Sequence, residues 1–126
     1  MNSGLPIGVF DSGLGGLTVL KELHKILPNE HFIYFGDTAR IPYGNKSPKT
    51  VIKYSTNITK FLIKKQIKLL VVACNTASAV ALHKIKEQFS IPIIDVIEPC
   101  VKKAAHITKT NTICILGTQT TIASNA

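Results

Sequence analysis

The sequence predicts an α/β fold, a parallel sheet with helices on both faces built from βαβ repeats. Three observations carry this. Short runs rich in Val, Ile and Leu alternate with stretches whose apolar residues recur every three or four positions. Hairpin turn signals between the runs are absent, so consecutive strands require crossover connections, which are right-handed. The run Leu69-Leu70-Val71-Val72-Ala73 is continuous and not alternating, as in a strand buried on both faces.

Residues 6–10 (P-I-G-V-F) read as the first strand, ending in the polar turn Asp11-Ser12-Gly13-Leu14-Gly15-Gly16. Leu17, Leu20, Leu23 and Leu27 then mark an amphipathic helix that Pro28-Asn29 stops. Residues 31–35 form the second predicted strand, and residues 36–45 (G-D-T-A-R-I-P-Y-G-N) a loop. Ser47-Pro48 is an N-cap followed by proline at the first helical position. The helix it opens carries Val51, Tyr54, Ile58, Phe61 and Leu62 on one side and ends near Lys65. The third strand, residues 69–73, stops at Cys74. Asn75, Thr76 or Ser78 is positioned to cap the next helix, which carries Ala77, Val80, Ala81, Ile85 and Phe89. Residues 91–97 are the fourth predicted strand, Glu98-Pro99 opens a helix to about residue 106, and residues 112–116 (T-I-C-I-L) are the fifth. Residues 122–126 look like the first turn of a further helix, so the chain reads as cut short. No linker, repeat or low-complexity segment interrupts it.

The 126 residues amount to one modest domain or part of something larger. With 45% hydrophobic residues the chain has material for a core, no run reaches membrane-span length, and residues 1–6 do not read as a secretory leader. The formal charge of +8 does not point to nucleic acid. Lys49, Lys53, Lys60 and Lys64 recur at helical spacing, as does the pair Lys84 and Lys86 beside Glu87, and Arg40 is the only arginine. That is the pattern of solvated helix faces. Cys74, Cys100 and Cys114 are an odd count without metal-ligand spacing, so a reducing, cytoplasmic setting and no metal are expected.

The polar strand ends are the candidate site. In a parallel sheet they share one edge, and ligands bind at the carboxyl ends of strands. Asp11-Ser12, Asp37-Thr38, Cys74-Asn75-Thr76 and residues 118–121 supply acids, a thiol, hydroxyls and backbone N–H groups. Singly, each such residue is an ordinary cap or turn former. Their clustering suits a small ligand with carboxylates and an ammonium group. Cys74, where a strand stops and a helix starts, meets free N–H groups that favour an anionic sulfur, and is a candidate base or nucleophile. The same placement predicts that it alkylates ahead of Cys100 and Cys114. Cys114 reads as a core residue inside a strand, and Cys100 lies in a first helical turn without a polar cluster. Gly13-Leu14-Gly15-Gly16-Leu17-Thr18 imitates a dinucleotide-binding turn, with Asp37 near a ribose-binding position. However, Thr18 occupies the third glycine position and the Asp11 charge would oppose a pyrophosphate.

G-V-F-D-S-G-L-G-G-L-T-V (residues 8–19), Y-F-G-D-T-A-R-I-P-Y-G (34–44), V-V-A-C-N-T-A-S-A (71–79) and G-T-Q-T-T-I (117–122) together resemble the bacterial glutamate racemases of the aspartate/glutamate racemase family. The resemblance runs in order along essentially the whole chain. It implies cofactor-independent interconversion of L- and D-glutamate in the cytoplasm, supplying D-glutamate for peptidoglycan. It also implies a fold of two similar α/β domains, here residues 1–97 without their closing segment and residues 98–126 as the start of the second. Cys74 would be one of two catalytic cysteines, with Asp11 near the thiol. Asp11, Ser12, Tyr43, Gly44, Asn75 and Thr76 would bind substrate, and Thr118 and Thr121 would contact its carboxylates. The expected partner is glutamate, with neither nucleic acid nor membrane, and a homo-oligomer is compatible with this. The family's second cysteine, in a G-C-T-H motif, has no counterpart in these residues. The alternatives are a racemase of aspartate or a related substrate, and an inactive glutamate-binding remnant. Independently of the resemblance, inverting an amino-acid Cα needs a base on one face and an acid on the other. A thiolate and a thiol can exchange these roles, with N–H and hydroxyl donors stabilising the carbanion.

Overall fold

A computed structural model describes residues 4–126, so the reading of residues 1–6 as no leader falls partly outside the described residues. Among the described residues four parallel strands form one sheet: β1 (Ile7–Asp11), β2 (Phe32–Gly36), β3 (Leu69–Val72) and β4 (Ile93–Asp95). Their spatial order is β2-β1-β3-β4. Register is continuous across the sheet, with Phe10 opposite Phe35 and Val72, and Val72 opposite Asp95. The helices are α1 (Leu17–Ile26), α2 (Pro48–Lys64), α3 (Asn75–Gln88), α4 (Ile97–Ile107) and the short α5 (Gln119–Ala123), with a single 3-10 turn at Thr38–Arg40.

Side-chain alternation along the strands gives the sheet two apolar faces. Phe10, Leu70 and Val72 face one way, into a cluster with Val51, Ile58 and Leu62 of α2 and Ala77, Ala81 and Ile85 of α3. Ile7, Val9, Val71 and Ala73 face the other way, against Val19, Leu20 and Leu23 of α1. The predicted fold, a parallel sheet with helices on both faces, is therefore what forms.

The local signals place α2 well. The Ser47 hydroxyl accepts from the Thr50 N–H at 3.2 Å, and Pro48 follows at the first helical position. The helix stops at Lys64, and Gln66 then adopts a left-handed φ of 59°. Lys49, Lys53, Lys60 and Lys64 are all exposed, as expected of a solvated face.

Five expectations are corrected. β4 is only Ile93–Asp95, because the Asp95 carboxylate turns the chain into α4 by accepting from Ile97 N at 2.9 Å and Glu98 N at 3.3 Å. α4 accordingly begins before Glu98-Pro99. Residues 112–116 form no strand: among the described residues no neighbouring backbone pairs with them, and Ile113, Ile115 and Leu116 are 49%, 69% and 94% exposed. An apolar run becomes a strand only when another strand takes its hydrogen bonds. Cys114 is for the same reason exposed and not core. Finally, α3 is capped by Cys74 itself, not by Asn75, Thr76 or Ser78.

Candidate active site

The strand order creates a switch point. From β1 the chain moves to β2 on one side, then crosses to β3 on the other, so the two connections diverge at the carboxyl ends of β1 and β3, the position where open α/β sheets form their ligand crevice. Asp11 and Ser12 leave β1 there, and Cys74 leaves β3 one residue beyond Ala73. Cys74 is 5% exposed. Its Sγ donates to Ser12 Oγ at 3.3 Å and accepts from the Ala77 N–H at 3.5 Å, at the head of α3. The thiol thus has a hydroxyl on one side and a helix-terminal N–H on the other.

The glycine turn is organised by Asp11. Its Oδ2 accepts from Gly13 N at 3.1 Å and Gly16 N at 2.9 Å. The Tyr34 hydroxyl donates to the Gly13 carbonyl at 3.0 Å and lies 3.5 Å from the same Oδ2. A Cβ on Gly16 would sit 2.6 Å from Asp11 Cβ and 3.1 Å from Ala73 Cβ, so only glycine lets the turn close onto β3. The amides that would cradle a pyrophosphate are thereby taken by the chain's own carboxylate.

The loop after β2 carries a second polar unit. Asp37 is buried and accepts from the Tyr43 hydroxyl at 2.5 Å. Arg40 Nε lies 3.3 Å from its other oxygen, and the guanidinium sits 4.8 Å from the centre of the Tyr54 ring. Tyr43 is itself buried, so its hydroxyl is engaged inside the fold. The adjacent Gly44 is half-buried, and its carbonyl accepts from Thr120 N at 3.1 Å and Thr120 Oγ1 at 2.8 Å.

Although the fifth strand is missing, α5 docks beside α3 and brings its threonines to the same edge. The hydroxyls of Thr76, Thr118 and Thr121 form a triangle with sides of 3.0, 2.8 and 3.4 Å. Asn75 is exposed in the first turn of α3. Cys74, Ser12, Asp11, Asn75, Thr76, Gly44, Thr118 and Thr121 therefore gather at one edge of the sheet. Tyr43 lies beneath it, tied to Asp37. Tyr34 was not legible as a site-forming residue, since it reads as an ordinary strand aromatic, and Thr120 was legible only as one of the polar residues 118–121. Among the described residues no group of three or more His, Cys, Asp or Glu is placed to hold a metal ion, and no helix is long and apolar enough to cross a membrane.

Burial changes the expected labelling order. Cys100 and Cys114 are exposed, whereas Cys74 is buried. Iodoacetamide on the folded chain is expected to modify Cys100 and Cys114 first, with Cys74 reacting only as the crevice opens. Peptide mapping over a time course checks this, and early modification of Cys74 would show that the crevice is open to solvent.

The tyrosines give an alkaline signature. Burial first, then the Asp11 charge and hydrogen bond, push the Tyr34 pKa up to about 12. Burial first, then the hydrogen bond to Asp37, raise that of Tyr43 well above the ordinary value. An unfolded tyrosine titrates near 10, so the unfolded chain loses these protons first. Stability from both groups is intact below about pH 10 and falls as pH rises toward 12 and beyond. Denaturant melts between pH 9 and 12 should show this fall, and Tyr34→Phe with Tyr43→Phe should flatten it.

The sequence matches the family model for Asp/Glu/Hydantoin racemase over residues 7–126. The chain belongs to this racemase family. It is 58% identical over 120 residues to the glutamate racemase of Geobacter metallireducens, covering 95% of this chain and 44% of that protein. It is 53% identical over 118 residues to that of Enterococcus faecalis, covering 94% and 43%. The fold matches the glutamate racemase of Francisella tularensis in complex with D-glutamate with a TM-score of 0.91 at 50% identity, over 98% of this chain and 46% of that one. It matches the glutamate racemase of Aquifex pyrophilus with a TM-score of 0.94 at 45% identity, over 96% and 48%. The chain spans about half the length of the curated racemases it matches.

Proposed function

We propose that residues 1–126 supply one proton-transfer face of a cofactor-independent glutamate racemase that makes D-glutamate for peptidoglycan in the cytoplasm. The observation that carries this reading is Cys74 at the switch point, bonded to Ser12 and to a helix-terminal N–H within the crevice. In the reaction, the Cys74 thiolate takes the proton from glutamate Cα, forming an S–H bond while the C–H electron pair passes into the carboxylate. Ser12, Asn75 and Thr76 offer donors around the charged substrate, Gly44 presents backbone, and the Thr118 and Thr121 hydroxyls donate to a carboxylate. Tyr43 supports the Gly44 loop from below. Asp11 fixes the turn that presents Ser12 and places negative charge near the substrate ammonium group. A second thiol, outside these residues, returns a proton to the opposite face and completes the inversion. The opposite reaction exchanges the two roles.

One thiol reaches one face only. Residues 1–126 alone are therefore expected at most to exchange the Cα proton of one enantiomer with solvent, retaining configuration. The test is circular dichroism of D- and L-glutamate with the full-length protein, dialysed against chelator and without pyridoxal phosphate, alongside deuterium incorporation at Cα. Racemisation from both enantiomers is expected. Activity that disappears on chelation, or that needs pyridoxal phosphate, would overturn the cofactor-free reading, and binding of glutamate without exchange would mark a binding remnant.

A further inference from the structure

We propose that Thr120 is a positioning residue whose buried hydroxyl clamps the loop at residues 43–46 to α5 and so sets the Thr118 and Thr121 hydroxyls against Thr76. The proposal rests on the glutamate reading above for its kinetic consequence, but the clamp itself is a property of the chain.

α5 has five residues, too few to hold a helix by its own hydrogen bonds. Thr120 is its one buried residue, while Ile122, its large apolar side chain, is 51% exposed. Apolar burial therefore contributes little to holding α5 in place, and polar contacts must do so. Thr120 N donates to the Gly44 carbonyl at 3.1 Å. Its Oγ1 donates to the same carbonyl at 2.8 Å and lies 3.1 Å from the Lys46 carbonyl. A hydroxyl has one proton, so these two carbonyls share it, and the loop is held at two points along its backbone. The fit is close: a Cβ on Gly44 would come within 2.6 Å of Thr118 Cβ. The Thr120 side chain thus fixes the distance between the loop and residue 118. Thr118 Oγ1 in turn contacts both Thr76 and Thr121. Contacts spanning more than seventy residues of sequence thereby register the carboxylate-facing hydroxyls to the Cys74 side of the crevice. Thr120 touches none of the site hydroxyls itself, so its effect is on their placement.

Thr120→Val keeps the side-chain shape and removes the hydroxyl, and Thr120→Ser keeps the hydroxyl and removes the methyl. In the full-length protein, Thr120→Val is expected to raise KM for both glutamate enantiomers roughly tenfold, with kcat within about threefold, because the lost bonds act on ground-state binding and not on the thiol. Thr120→Ser is expected to restore KM to within about twofold. Hydrogen exchange of the amides at residues 118–123 should accelerate in Thr120→Val and not in Thr120→Ser. Unchanged exchange in Thr120→Val overturns the clamp even if KM rises, since the hydroxyl would then act on substrate directly. Equal impairment of both variants also overturns it, since methyl packing would then be the cause. If the wild-type protein does not racemise glutamate, the functional reading fails, and the exchange comparison alone decides the clamp.

Discussion

Replacing Cys74 by serine in the full-length protein is expected to lower kcat for racemisation by about 10²- to 10⁴-fold, the range of a positioned acid–base group. A serine hydroxyl fits the same space and retains a donor toward Ser12. It does not ionise near neutral pH, however, and so cannot take the Cα proton. Deuterium entry at Cα from the Cys74 side should fall with kcat, while KM should change little because the proposed carboxylate donors, Thr118 and Thr121, are untouched. Cys100→Ser and Cys114→Ser are the controls. Both residues are exposed and neither lies at the switch point, so activity should stay within about twofold. A Cys74→Ser protein with near-normal activity would remove Cys74 from proton transfer.

The second large effect is at Asp11. The side chain is 5% exposed, and one of its oxygens receives the N–H groups of two buried glycines, Gly13 and Gly16. Asp11→Ala leaves both donors without a partner, at about 1–3 kcal/mol for each unsatisfied buried group. A destabilisation of roughly 2–6 kcal/mol is expected, set against the 5–15 kcal/mol that holds a typical domain together. The Tyr34 hydroxyl also loses a neighbour, so the turn presenting Ser12 to Cys74 loosens. Asp11→Asn separates shape from charge. The amide carbonyl still accepts from the glycines, so the melting transition should stay near wild type, while the negative charge that the proposed function sets against a substrate ammonium is gone. Expected is a nearly intact fold for Asp11→Asn with reduced kcat/KM, and losses in both stability and activity for Asp11→Ala. Equal stability of all three proteins in denaturant melts would show that the turn does not depend on the carboxylate.

The sequence by itself determined everything that near neighbours encode. Apolar period marked four of the strands and the faces of α1, α2 and α3. Ser47-Pro48 marked where α2 begins, and the spacing of Lys49, Lys53, Lys60 and Lys64 marked its wet side. It also placed Cys74 at a strand end before a helix. These features are set by residues within a turn or two, and so are legible locally. The tertiary structure decided the rest. Strand order brought Ser12 beside Cys74 across 62 positions, and no periodicity contains that order. Asp11 turned its carboxylate into its own glycine turn, Tyr43 gave its hydroxyl to Asp37, and Cys74 took the capping role that Asn75, Thr76 and Ser78 were equally fitted to fill. A polar side chain has several chemically equivalent partners, and packing alone selects among them. Residues 112–116 have the composition of a strand, yet find no partner strand among the described residues and stay exposed while α5 docks its threonines onto Thr76. Side-chain pattern states what a segment is able to be, but a strand exists only where another backbone completes its hydrogen bonds.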